Sequence, residues 1–186
     1  MGKTESRKLQ HLNISLKKNV QFKVKTTGLE NVSFNKVELN YSALPEMDKG
    51  DVNLETLFLG KKFDAPLMVE AITGGVDEAA EINKDIAKAC EDVGIGMGLG
   101  SQRAMIEKPE LAYTYQVRDV APSIFLAGNI GVTELGKIPA EEIKAALSVV
   151  EADALAVHIN AAQAAMQPEK ETDFRGRLKE ISKITK

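Results

Sequence analysis

Residues 94–101 read Gly94-Ile95-Gly96-Met97-Gly98-Leu99-Gly100-Ser101. In an extended chain successive side chains point to opposite faces. The four glycines therefore share one face, and Ile95, Met97 and Leu99 share the other. The apolar face can pack on helices. The glycine face carries no side chains, which suits a cramped interior or the close approach of a ligand.

The neighbouring stretches alternate in type. Pro66–Ile72 reads as a short buried strand before this one. Ser123–Ala127 and Asp153–Ile159 read as strands after it. Helical spacing falls between them, over Asp77–Val93, Pro109–Val120 and Pro139–Val150, the last two opened by a proline. In the first helix Ala80, Ile82, Ile86, Ala87, Ala89, Cys90 and Val93 fall on or near one face. Arg175–Lys186 begins a fourth helix. Strands alternating with helices predict parallel βαβ units. Helices on both faces would give a doubly wound sheet, and helices on one face a (βα)8 barrel. The glycine face favours the barrel. The expected class is α/β, of the TIM-type (βα)8 barrel family, with the first four βα units in residues 66–186. An N-terminal extension with short strands, residues 1–65, precedes them.

Within the extension, residues 1–19 are polar and basic and would pass for a flexible tail. Two patches, VQFKV and KVELNY, read as short strands, Leu54–Gly60 as a short helix, and Lys61–Asp64 as a turn or short hairpin.

Composition narrows the partners. Twenty-four basic and 27 acidic residues give a net charge of −3. That balance gives no argument for nucleic acid or an anionic membrane surface. The hydrophobic content of 44% is enough for a real core. The one cysteine, Cys90, cannot form an internal disulfide and reads as a small buried residue in a reducing, cytoplasmic setting. No apolar run approaches the ~20 residues of a membrane span, and the N-terminus has no signal-peptide core.

In either fold ligands bind at the carboxyl ends of the strands. Thr73-Gly74-Gly75 follows the first strand and Ser101-Gln102-Arg103 the second. Asn129-Ile130-Gly131 follows the third, and His158, Asn160 and Gln163 end the fourth. All four tips are polar. Thr73-Gly74-Gly75 can be a helix cap and turn, or a backbone cradle for a flat or phosphorylated ligand. Arg103 can pair with a helix carboxylate or clamp a phosphate. Asn129 can be a turn residue or meet a heteroaromatic ring edge. His158 can be a satisfied interior histidine or part of the site. Arg7, Lys8 and His11 read by default as a solvated tail.

Together these motifs resemble type 2 isopentenyl-diphosphate delta-isomerases. The similarity covers Arg7-Lys8-Leu9-Gln10-His11, Thr26-Thr27-Gly28-Leu29-Glu30 and Asn40-Tyr41-Ser42-Ala43-Leu44-Pro45-Glu46. It continues through Ile72-Thr73-Gly74-Gly75, Gly98-Leu99-Gly100-Ser101-Gln102-Arg103-Ala104 and Asn129-Ile130-Gly131. It ends with His158-Ile159-Asn160-Ala161-Ala162-Gln163 and Gln167-Pro168-Glu169. The resemblance implies an FMN-binding barrel that shifts the double bond between isopentenyl and dimethylallyl diphosphate. It implies reduced FMN, Mg²⁺ and NAD(P)H as reductant, and a homo-oligomer, tetrameric or octameric. It gives substrate contacts to Arg7, Lys8, His11, Ser101, Gln102, Arg103, His158, Asn160 and Gln163, with Gln163 near the reacting double bond as the catalytic candidate. It gives flavin contacts to Ala71, Ile72, Thr73, Ser101 and Asn129. At the position of the family's Mg²⁺-binding glutamate this chain has Ala164, so no metal ligand is expected there. That difference, with a length about half the family's, leads to the expectation that the 186 residues alone are inactive. A truncated or degenerate non-catalytic relative acting as a binding or assembly module is the alternative. Another FMN-dependent barrel oxidoreductase is the third.

Overall fold

A computed structural model describes residues 3–18, 38, 40–166 and 172–185. The chain divides into two compact units, one of Met1–Gln10 with Leu54–Lys186, the other of His11–Asn53. Helix α1 (Lys3–Lys17) runs from the first into the second. The expected flexible tail is thus a helix: Leu9, Leu12 and Leu16 recur at three- and four-residue spacing, and Leu12 is buried. In the second unit Asp48 caps the 3₁₀ turn Lys49–Asp51, accepting from the Gly50 N–H at 2.8 Å. The expected strand VQFKV lies outside the described residues, as does most of KVELNY.

The first unit is built on strands β3 (Met68–Val69), β4 (Gly96–Gly98), β5 (Leu126–Gly131) and β6 (Ala154–His158). All pair in parallel, in sequential order. Between and after them come α2 (Asp77–Val93), α3 (Arg103–Glu107), a 3₁₀ helix (Pro109–Thr114), α4 (Ala140–Val149), α5 (Ala161–Met166) and α6 (Arg177–Ile184). Met97, Leu99 and Leu126 point to one face, where they pack with Ala87 and Cys90 of α2, Met105 of α3 and Ala146 of α4. Ile130, Leu155 and Val157 continue that face against Ile143 of α4 and Ile181 of α6. Helices α2, α3, α4 and α6 thus lie on one face of the sheet, and the strand order shows no reversal of the doubly wound kind. The parallel α/β sheet is as expected. It is an open sheet of four strands.

The opposite face carries Gly96, Gly98, Ala127, Asn129, Gly131, Ala154, Ala156 and His158. Close approach explains its glycines. A Cβ on Gly96 would meet the Phe63 ring at 2.7 Å, and one on Gly98 would meet the Ala71 backbone nitrogen at 3.1 Å. Phe63 comes from an antiparallel hairpin, β1 (Thr56–Phe58) with β2 (Lys61–Phe63). Its two-residue turn, Leu59-Gly60, has both φ values positive, 47° and 81°. This corrects the helix expected at Leu54–Gly60. Phe63 stacks obliquely on Phe125 and packs with Ala127 at the amino end of the sheet.

Other boundaries moved. Helix α2 has the expected limits, because Gly94 stops it in the left-handed conformation and its N–H caps the Cys90 and Glu91 carbonyls. Its buried stripe is Ala79, Asn83, Ala87 and Cys90, while Val93 is exposed. The expected helix Pro109–Val120 is a single 3₁₀ stretch ending at Thr114, preceded by the unforeseen α3. Strand β5 starts three residues later than expected and includes Asn129-Ile130-Gly131, which pair with Ala156, Val157 and His158. Helix α5 was not expected.

Candidate functional site

The site is assembled at the carboxyl ends of β3 to β6. The first tip is Thr73-Gly74-Gly75, with Thr73 and both glycines buried. Gly74 has φ 154° and Gly75 φ 80°, and a Cβ on Gly74 would overlap the Tyr115 ring. Three neighbours fix this loop. The Gly75 N–H donates to Thr114 Oγ1 at 2.8 Å. The Gly100 N–H donates to the Thr73 carbonyl at 3.0 Å. Asn83, buried on α2, donates to the Thr114 carbonyl at 2.8 Å and to the Thr73 carbonyl at 3.4 Å.

Lys8 reaches the second tip from α1. Its Nζ donates to the Ser101 carbonyl at 3.1 Å and to the Tyr115 hydroxyl at 2.8 Å, and lies 5.2 Å from the Tyr115 ring centre. Tyr115, fully buried, donates its own O–H to the same Ser101 carbonyl at 2.8 Å. Burial pushes its phenol well above the ordinary value, so it is neutral. Ser101 Oγ has no hydrogen bond among the described residues and is half-buried. Arg7 is half-buried one residue before Lys8, with no ion pair among the described residues; His11 belongs to the second unit.

Gln102 and Arg103 are engaged within the protein. Gln102 is buried; its N–H donates to the Asn129 carbonyl at 2.9 Å and its Oε1 accepts the Asn129 N–H at 2.8 Å. Its amide lies over Gly128, beside Leu147 of α4, on the helix-covered face. Gln102 Nε2 is buried without a partner among the described residues. Arg103 Nε donates to Glu107 at 2.6 Å and its Nη1 to Glu134 at 3.2 Å. Burial opposes its charge, but the two carboxylates raise its pKa above the usual value. Of the two sequence readings for Arg103, the structure has the carboxylate pair.

The third and fourth tips meet through side chains. His158 Nδ1 lies 2.8 Å from Asn129 Oδ1. An amide oxygen only accepts, so Nδ1 carries the proton. Asn129 Nδ2 has no hydrogen bond among the described residues. Asn160 Oδ1 accepts the Gln163 N–H at 2.9 Å and so caps α5. Gly131, Thr133, His158, Asn160, Gln163, Ala164 and Phe174 surround a cavity of about 20 Å³. Ala164 is buried there, while Gln163 is exposed. Ala71 is half-buried and Ile72 exposed on the tip of β3.

Hydrogen bonds therefore join Lys8 to Ser101, Thr73 to Gly100, and Gln102 through Asn129 to His158, and the β4 tip Gly100-Ser101-Gln102 connects the three groups along one end of the sheet. Sequence reasoning missed Tyr115, Asn83, Thr114 and Glu134. Asn83 had a signal, as a polar residue in step with Ala79, Ala87 and Cys90 on a buried helix stripe. Tyr115 had none, since it stands between Thr114 and Gln116 in a stretch read as plain helix.

The chain is similar to proteins named isopentenyl-diphosphate delta-isomerase. It is 42% identical to that of Pyrococcus furiosus over 98% of this chain and 47% of the relative. It is 44% identical to that of Thermococcus kodakarensis over 96% of this chain and 48% of the relative. For that of Nostoc sp. the figures are 40%, 98% and 51%. The chain spans about half the length of the curated relatives it matches. No family model matches it.

Proposed function

We propose that this chain carries the amino-terminal part of the active site of a type 2, FMN-dependent isopentenyl-diphosphate delta-isomerase, on the first four units of a (βα)8 barrel. The carrying observation is the convergence of Lys8, Ser101, Asn129 and His158 at one end of a parallel sheet, in a chain at least 40% identical to named isomerases. Sequential strand order and helices on one face support the barrel.

The residues present fit a flavin. Exposed Ile72 with Ala71 offers an apolar ledge at the tip of β3, and Asn129 Nδ2 and Ser101 Oγ offer polar groups for a heterocycle edge. Reduced FMN would supply the proton transfers at the double bond. The protein's part is then position and charge. Lys8 would hold the diphosphate. His158, oriented by Asn129, would line the substrate's place, with Gln163 at its edge. At the position where the resemblance places a Mg²⁺-binding glutamate, Ala164 has no oxygen to offer. That observation favours the second reading, a relative that binds but does not turn over.

Two measurements decide between these readings. Flavin fluorescence should be quenched saturably as the chain is titrated into FMN, and calorimetry should detect inorganic pyrophosphate. Absence of both would refute the site. With both present, deuterium uptake into isopentenyl diphosphate by the reduced, FMN-loaded chain in D₂O identifies an isomerase, and no uptake identifies the binding relative.

A further inference from the structure

Lys8 is delivered to the site by a long, flexible side chain that samples many rotamers when free. Its competence depends on what holds it. Its ammonium bonds the Ser101 carbonyl at the tip of β4 and the Tyr115 hydroxyl beyond the 3₁₀ helix, and Gly75 lies beside them. A Cβ on Gly75 would lie 2.9 Å from the Tyr115 oxygen and 3.2 Å from Lys8 Nζ, so glycine is what lets the three pack together. The Tyr115 oxygen uses its proton on Ser101 and a lone pair on Lys8. It therefore orients the ammonium and the β4 tip with one atom. Its ring closes against Gly74, so the residue cannot easily turn away. A neutral phenol gives direction to the ammonium without itself cancelling the charge.

We propose that Tyr115 is a positioning residue whose hydroxyl fixes the Lys8 ammonium over the tip of β4, so that a diphosphate meets a held cation. The assignment rests on the reading of Lys8 as a diphosphate ligand, and nothing in Tyr115 touches the reacting atoms.

The test uses Y115F, which keeps the ring against Gly74 and removes only the hydroxyl. Thermal melting checks that it folds. The first readout needs no substrate: reductive methylation with formaldehyde and cyanoborohydride, followed by peptide mass spectrometry of Lys8. Lys8 should be modified about threefold faster or more in Y115F, since a hydrogen bond to a charged group is lost. An unchanged rate overturns the proposal. The second readout is a cycle of the unsubstituted chain, Y115F, K8A and the double variant, titrated with inorganic pyrophosphate. Y115F should weaken binding roughly tenfold in the Lys8 background and have no effect in the K8A background. An equal loss in both backgrounds means that Tyr115 acts on the loop and not through Lys8, which also overturns it. If the unsubstituted chain takes up no pyrophosphate, the proposed function fails, and the methylation rate alone decides whether Tyr115 holds Lys8.

Discussion

Replacing Asn83 tests whether the tip of β3 is held from behind by α2. Asn83 is 1% exposed, and its amide makes a 2.8 Å bond to the Thr114 carbonyl and a longer one, 3.4 Å, to the Thr73 carbonyl. The Thr73 carbonyl also accepts from the Gly100 N–H, so it keeps a partner when Asn83 is removed. Asn83→Ala then loses one good bond and one weak one, and costs the Thr114 carbonyl a partner. At about 1 kcal/mol per bond plus partial desolvation of one carbonyl, the cost is about 2–3 kcal/mol. With a urea slope near 2 kcal/mol/M, the unfolding midpoint should fall by about 1 M, read by circular dichroism. Asn83→Asp sharpens the test, because a carboxylate would face two carbonyls in a dry site. Its folded pKa would rise above the ordinary value near 4. Between those two values the folded state holds more protons than the unfolded state, so stability falls as pH rises. Asn83→Asp should therefore be weaker at pH 7 than at about pH 5 relative to the unsubstituted chain. A midpoint unmoved by Asn83→Ala, or an Asp variant favoured by rising pH, would refute the assignment.

Two further outcomes follow from charged groups. Burial alone would raise the pKa of Asp153, but the Leu126 N–H, Lys61 and Arg118 together hold it below the ordinary carboxylate value. Its stabilisation is present above the unfolded pKa, about 4, and is lost as pH falls through the folded one. Asp153→Asn should lower the melting temperature at pH 7 and flatten its fall towards pH 3, in melts across that range; an acid limb as steep as before would count against it. Glu134→Gln removes one of the two carboxylates on Arg103. If Arg103 can turn to a diphosphate, calorimetric affinity for inorganic pyrophosphate should rise roughly threefold to tenfold; an unchanged affinity would show that Arg103 serves only its ion pairs.

The fold was legible where one local rule dominates. Helix α2 announced itself by periodicity and stopped at Gly94, because an αL cap is a local event. The strand expected at Asp153–Ile159 was legible too, and β6 runs from Ala154 to His158 within it. Errors arose where partners decide. Thr56–Phe58 looked helical in isolation and is a strand because Leu59-Gly60 can take two positive φ values and pair it with Lys61–Phe63. Asn129-Ile130-Gly131 looked like a loop and is strand because β6 offers a matching edge. The glycine face of β4 was attributed to a crowded interior or a ligand, and its occupants are the Phe63 ring and the Ala71 and Thr73 backbone. Within the site, the identities of the tip residues were readable. Their internal pairing was mostly not, because partners such as Lys8 with Tyr115 and Gln102 with Asn129 stand 107 and 27 residues apart in the chain.

That pairing changes how the site's charge is distributed. Arg103, the obvious cation by sequence, shares its charge with Glu107 and Glu134. Gln102 spends its amide on the backbone of Asn129, which in turn aims His158. Asn160 spends its oxygen on the amino end of α5. Of the polar residues at the tips, several are therefore supports. Ala164 fits the same pattern. It is buried beside His158 and Phe174, at a small pocket that is partly open to solvent. With no oxygen to offer, Ala164 lines that pocket as packing, next to Asn160, whose amide oxygen caps α5.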